Sequence, residues 1–319
     1  MSVPRSDDLA RRFLHVNLNC ASRDAAEAFY ADGLGLSARM RTDSAVPTNG
    51  SILGLEGETY CATSFLYDAR GGRASCALEI IDYRAPALRR DTSADPFRRG
   101  IRSTLMTVPD LHEAVAVLRA AGARVGDPVD GLISESKAVL AVDPDGAVVE
   151  LAESIHAGDA AAGALFSGIR VAAGDLGATG EFLTAIGFLE AQPPSSMTVS
   201  GQQLAPGGSA ERVECTVARY ALAEDGDRFV MTVVAHPETA ASDPVPWGGN
   251  YQGLYRCALR VDSVEKALNQ VPNSVERMGD PVWCPLPGTK IDGLFIAFLR
   301  SPDGVVFEFV ERPLKYFSC

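Results

Sequence analysis

Val142-Asp143-Pro144-Asp145-Gly146-Ala147-Val148-Val149-Glu150-Leu151 lies near the middle of the chain, and Arg300-Ser301-Pro302-Asp303-Gly304-Val305-Val306-Phe307-Glu308-Phe309 lies near its end. Both read as a tight turn followed by an apolar strand, with a glutamate four residues after the glycine. A repeated turn-strand unit with a charge at one fixed place predicts a duplicated architecture. It also marks a position that is, or once was, chemical, because a carboxylate in an apolar strand is costly to bury without a partner.

Working outward, the same order of elements recurs. Phe13 to Cys20 alternates as a strand, with Val16, Leu18 and Cys20 facing one way and His15, Asn17 and Asn19 the other. Ala21-Ser22-Arg23-Asp24 caps a helix through Ala31, with Ala25, Ala28 and Phe29 on its apolar face, and Gly33-Leu34-Gly35-Leu36 ends it. Strands follow, including Thr63 to Tyr67 and Cys76 to Tyr83. The order restarts at Ser103, at Gly168 and at Arg256. Aligned on their helix starts, His15, Ser103, Gly168 and Arg256 share one strand position, and 168 minus 15 and 256 minus 103 are both 153. Linkers fall at about Arg84 to Gly100, Ala152 to Phe166 and Pro237 to Gly253.

Composition narrows the function classes. The chain has 319 residues, 46% of them hydrophobic, which suits about two ordinary globular domains. A net charge of −12 with no basic block argues against nucleic-acid and anionic-membrane partners. Seven scattered cysteines with no Cys-x-x-Cys pair argue against a disulfide framework or a structural zinc site. Met1 to Asp8 carries no apolar h-region, so no leader is expected, and no run approaches the roughly 20 apolar residues that a membrane span needs. A reduced, cytoplasmic setting is expected.

A βαβββ module that opens with His15-Val16-Asn17-Leu18, Phe29-Tyr30 and Leu34-Gly35-Leu36 and closes on Asp-Pro-Asp-Gly and Glu-Leu resembles the vicinal oxygen chelate superfamily. That group includes glyoxalase I, bleomycin-resistance proteins and extradiol dioxygenases. The resemblance covers nearly the whole chain. It implies an α+β fold of four βαβββ modules, paired into two glyoxalase-like cups. An N-terminal domain over 1–153 would hold modules at about 11–84 and 100–153. A C-terminal domain over 165–315 would hold modules at about 165–237 and 253–312.

In the family, ligands come from the first and last strands of each module. Carried over, this gives the first half His15, Glu79, Ser103 and Glu150. The implied metal site is His15, Glu79 and Glu150 around Fe, Mn, Ni or Zn, with Glu150 or Glu79 also moving protons. Ser103 departs from the family pattern, since a neutral serine is a poor ligand; water would complete the sphere, or the metal is lost. His15 paired with a buried glutamate remains the structural alternative. Asn17, Asn19, Tyr67, Tyr83 and Ser103 are candidate substrate contacts, Arg70 is a further possible contact, and Glu135 and Lys137 are possible rim residues.

The second half offers Gly168, Thr232, Arg256 and Glu308 at the same positions. Arg256 beside Glu308 reads as an ion pair that needs no metal, or Arg170, Arg256 and Arg260 grip an anion. His112, His156 and His236 lack metal-ligand spacing. The expected function is metal-dependent isomerase, lyase or dioxygenase chemistry on a small substrate with adjacent oxygens, sited in the N-terminal half. The alternatives are a metal-free small-molecule binder and a metal-free enzyme. Four modules can complete their cups within one chain, so monomer and homodimer both remain open.

Overall fold

A computed structural model describes residues 8–43, 45, 47–90, 95–154, 163–285 and 293–313. His156 lies outside them. The first module runs β1 (Arg12–Cys20), α1 (Arg23–Glu27) with a π-helical continuation over Ala28–Asp32, β2 (Ser37–Asp43), β3 (Thr48–Asn49), β4 (Glu58–Tyr67) and β5 (Ala77–Ala85). The second is β6 (Gly100–Val108), α2 (Leu111–Ala120), β7 (Arg124–Asp130), β8 (Lys137–Val142) and β9 (Val148–Glu153). The third is β10 (Leu165–Ala172), α3 (Leu176–Ile186), β11 (Leu189–Ser200), β12 (Arg212–Ala221) and β13 (Val230–Ala235), followed by the short α4 (Pro237–Ala240). The fourth is β14 (Gly253–Val261), α5 (Val264–Gln270), β15 (Glu276–Arg277), β16 (Val282–Pro285), β17 (Gly293–Arg300) and β18 (Val306–Glu311).

Four helices start at a capping side chain, the first at the predicted Ser22. Ser22, Asp110, Asp175 and Ser263 each accept a backbone N–H from the first turn, satisfying donors that the helix leaves open. The first helix differs from its predicted face. Ala25 and Ala28 are exposed, whereas Ala26, Phe29 and Tyr30 are buried. The π-turn places Phe29 and Tyr30 side by side on the inner surface, where the Tyr30 hydroxyl donates to Asp143 at 2.9 Å.

Two curled sheets form, as expected, but the modules pair differently. One sheet runs β15-β17-β18-β14-β1-β5-β4-β2, and the other β11-β12-β13-β10-β6-β9-β8-β7. So β1 of the first module pairs with β14 of the fourth, and β10 of the third with β6 of the second. The predicted joining of modules one and two into one cup, and of three and four into the other, is corrected.

The physical reason lies in the repeated turns. Asp145 accepts a hydrogen bond from the Ala21 N–H at 2.7 Å, and Asp303 accepts one from the Gly174 N–H at 2.7 Å. Each turn thereby clasps the end of the preceding module's first strand, so consecutive modules pack back to back rather than edge to edge. The first aspartate of the earlier turn, Asp143, closes its own loop by accepting from Asp145 and Ala147. Between the two sheets lies one continuous apolar core with members from all four modules, among them Phe13, Leu118, Phe166, Phe188 and Phe307. Phe13 stacks on Phe229 with ring centroids 4.5 Å apart, tying the first module to the third.

Candidate active site

Paired bulges aim the side chains into the first cup. Along β1 and β14 the register slips between Phe13 and His15, and again between Val16 and Leu18. The first slip leaves Leu14 as an extra residue on β1; the second sets Tyr255 and Arg256 of β14 opposite Asn17. A bulge turns neighbouring side chains toward one face. Slips of the same kind recur between Phe166 and Gly168 and between Arg170 and Val171 in the other sheet.

His15, Glu79, Arg256 and Glu308 meet at the floor of this cup. His15 Nε2 lies 3.2 Å from Glu79 Oε2 and 3.8 Å from Glu308 Oε2. Arg256 Nη2 donates to Glu79 Oε2 at 3.1 Å, and its Nε lies 3.3 Å from Glu308 Oε2. All four side chains are 8–13% exposed. Burial alone would raise Glu308, but Arg256 and the nearby His15 hold it below the usual carboxylate range. Burial opposes the charge on Arg256, yet Glu79 and Glu308 together raise its pKa.

Around this quartet the concave face carries polar atoms without partners. They include both amide atoms of Asn17, Tyr83 Oη and Arg256 Nη1, while His15 Nε2, Arg256 Nε and Glu308 Oε2 have only the ion-pair contacts given above. Asn17 is fully buried, and burial holds Tyr83 above its ordinary pKa, as a neutral phenol. Phe65 sits edge-on to His15 with centroids 5.3 Å apart. Cys61 lies near Arg256 and Glu79, its thiol pushed up to about 12 mainly by burial. Cys284, from β16, lies near Glu308.

Residues 12–151 match the family model of the Glyoxalase/Bleomycin resistance protein/Dioxygenase superfamily. Among solved structures, maize (Zea mays) glyoxalase I aligns with a TM-score of 0.65 at 16% identity, over 97% of this chain and 94% of that one. A Bacillus subtilis protein provisionally described as a dioxygenase aligns with a TM-score of 0.57 at 14% identity, over 95% and 86%. This is a vicinal oxygen chelate fold. No curated protein matches the chain.

A vicinal oxygen chelate cup raises the question of a metal. The predicted trio of His15, Glu79 and Glu150 is not assembled, because β9, which carries Glu150, belongs to the other sheet. Glu308 stands in its place, so the donors beside His15 are Glu79 and Glu308. Arg256 already occupies the two Oε2 atoms that a cation would need. An ion about 2.1 Å from Glu79 Oε2 would lie at most about 5 Å from the Arg256 Nη2. At an effective dielectric of about 20, a +2 ion and a guanidinium repel there by roughly 7 kcal/mol or more. Among the described residues, no group of three or more His, Cys, Asp and Glu side chains is arranged to hold a metal ion. The residues present do not fit a divalent ion while Arg256 holds this position.

In the second vicinal oxygen chelate cup, Glu150 is structural. Its oxygens accept from the backbone N–H groups of Leu132, Ile133 and Ser134 at 2.8–3.2 Å. Those bonds pull the β7–β8 loop into the cup, where Leu132 and Ile133 are buried. Gly131 permits the approach, since a Cβ there would fall 2.4 Å from Glu150 Oε1. Ser103 is likewise remote from His15 and accepts from Arg170 Nε at 3.1 Å.

The other predicted contacts divide. Asn17 and Tyr83 face the quartet. Asn19 instead donates to the Gly249 and Tyr251 carbonyls at 2.7 and 2.6 Å, pinning the linker that roofs the cup. Tyr67, two residues beyond Phe65 on β4, lies near Arg312, Arg12 and Glu79. Arg70 binds Asp68 and the Phe166 carbonyl, Glu135 pairs with Arg219, and Lys137 pairs with Asp130. Arg170, Arg256 and Arg260 do not converge: Arg260 pairs with Glu224 and Asp262. His112 is exposed, and His236 caps α4. The meeting of Arg256 and Glu308 with His15 and Glu79 was missed. The shared 153-residue offset recorded their equivalent positions but not which strands would be neighbours.

Proposed function

We propose that the cup of modules one and four binds a small molecule with adjacent hydroxyl and carbonyl groups and transfers a proton next to the carbonyl, with Arg256 supplying the positive charge. The observation that carries this is the set of unpartnered buried atoms on one concave face. Native interiors seldom leave such atoms unpaired, so the set fits a ligand that completes them. Arg256 Nη1, the Tyr83 hydroxyl and the Asn17 amide are donors suited to a carbonyl oxygen that gains negative charge. Glu308 Oε2 can accept from the substrate hydroxyl. Glu79, beside His15, is placed to take the proton, with the imidazole as the next stop. This is isomerase or lyase chemistry with a guanidinium in place of a metal ion. The second cup, into which the β7–β8 loop folds, has no part in it.

The test uses glycolaldehyde and dihydroxyacetone as probes in deuterated water, with proton exchange followed by NMR. Exchange that survives chelator and is lost in Arg256→Met supports the proposal. Stoichiometric metal in the purified protein, lost in His15→Ala together with activity, overturns it. Chelator-resistant binding of the probes without exchange leaves a binding protein rather than an enzyme.

A further inference from the structure

The second cup holds a row of polar side chains that none of the chemistry above uses. Ser103, Arg170, Thr232 and Arg219 stand side by side across β6, β10, β13 and β12. Arg170 is in register with Ser103 on one side and Thr232 on the other, and Thr232 with Arg219. Alternation puts Thr232 on the same face as Val234, and Arg219 on the face of Cys215 and Val217, all of which pack with Leu132 inside this cup.

Arg170 is 2% exposed, and among the described residues it has no carboxylate within ion-pair distance. It spends Nε on Ser103 and Nη2 on the Leu204 carbonyl at 3.3 Å, and its Nη1 bonds to no described residue. Glu150 lies near enough for its charge to favour the guanidinium, while Arg102 opposes it, but the Glu150 oxygens are taken by three backbone N–H groups and form no ion pair with Arg170. Thr232 is wholly buried, and its hydroxyl has no partner. Arg219 donates to the Leu132 carbonyl at 3.0 Å and pairs with the half-exposed Glu135 at 2.7 Å.

A buried guanidinium with no carboxylate in contact is a costly arrangement for a fold. An unpartnered hydroxyl beside it repeats the mismatch at the same level of the sheet. One occupant relieves both: an anion accepting from Arg170 and Thr232 together. The planar fork of arginine suits a carboxylate, and a carboxylate in contact is what Arg170 lacks.

We infer that the cup of modules two and three is a binding site for the carboxylate of a small monoanion, held between Arg170 and Thr232 beneath the Leu132–Ile133 loop. The site is separate from the His15 cup and serves to neutralise Arg170, so the bound anion stabilises the fold. It stands or falls independently of the proton-transfer proposal.

The test is thermal unfolding of the full chain with sodium formate as the probe. The reference titration uses the sodium salt of a bulky anion at equal ionic strength. A saturable rise in Tm with formate is expected for the wild type. In Thr232→Val, which removes one unpartnered hydroxyl and keeps the shape, the half-saturating concentration should rise about tenfold, as expected for loss of a hydrogen bond to a charged group. In Arg170→Met the response should vanish. Three results overturn the inference: no saturable rise in the wild type, the same rise with the bulky anion, or an unchanged formate response in Thr232→Val. The valine variant decides the matter even if Arg170→Met fails to fold.

Discussion

Replacing Arg256 with methionine removes the only guanidinium within ion-pair distance of Glu79 and Glu308 among the described residues, and nothing else of similar size. Both Oε2 atoms approach one imidazole nitrogen, at 3.2 and 3.8 Å, so they lie at most about 7 Å apart. Two like charges at that spacing repel by about 2 kcal/mol at an effective dielectric near 20. Loss of one partner of a buried ion pair adds the stranded-charge penalty, so about 3–5 kcal/mol of stability should go near pH 8.

The pH dependence carries the sharper test. In the wild type Glu308 is held low, so its contribution is present above the ordinary carboxylate pKa and is lost as pH falls. In Arg256→Met the two glutamates disfavour each other's charge, one pKa rises, and folding takes up a proton. The sign reverses, and the variant loses stability as pH rises. Urea unfolding at about pH 5 and pH 8 should show a deficit smaller by about 2 kcal/mol in acid. Equal deficits at both pH values, or a deficit under about 1 kcal/mol at pH 8, would refute the picture of a cationic arginine balancing two carboxylates.

Arg256→His removes the competing cation and leaves imidazole and carboxylate donors together, so calorimetry should detect about one zinc per chain in the variant and none in the wild type. Glu150→Gln should cost about 2–4 kcal/mol, because an amide cannot serve three N–H donors as a carboxylate does, while probe binding in the His15 cup stays unchanged. Asp143 is pushed up to about 7, chiefly by burial and then by the Asp145 charge. Its contribution is therefore present below about pH 4 and lost as pH rises toward 7, and Asp143→Asn should flatten that part of the stability profile.

The repeated turns and the strand starts at His15, Ser103, Gly168 and Arg256 made the four modules legible, because turn chemistry and alternation are local properties. Pairing is not local. The first strands β1, β6, β10 and β14 all carry one apolar face, so the sequence does not say which two will share an edge. That choice rests on contacts such as Asp145 with Ala21 and Asp303 with Gly174, which no spacing rule reveals. Glu150 shows a second limit. A buried glutamate in an apolar strand needs partners, but a metal ion and three backbone N–H groups satisfy it equally well on paper. The one local hint was Gly131 before Leu132-Ile133, an apolar pair in what should have been a polar hairpin loop.

The edge shared by β1 and β14 joins Arg12 to Arg260 and Asn19 to Gly253. During synthesis, the N-terminal module must therefore leave the ribosome with one edge of its leading strand unpaired, and wait for most of the polypeptide to follow. Contacts this distant slow folding, and an open strand edge invites pairing with other nascent chains. A truncated N-terminal half would present that same bare edge, so the half-length fragment is a poor unit for expression, and the His15 cup forms only when the fourth module is present.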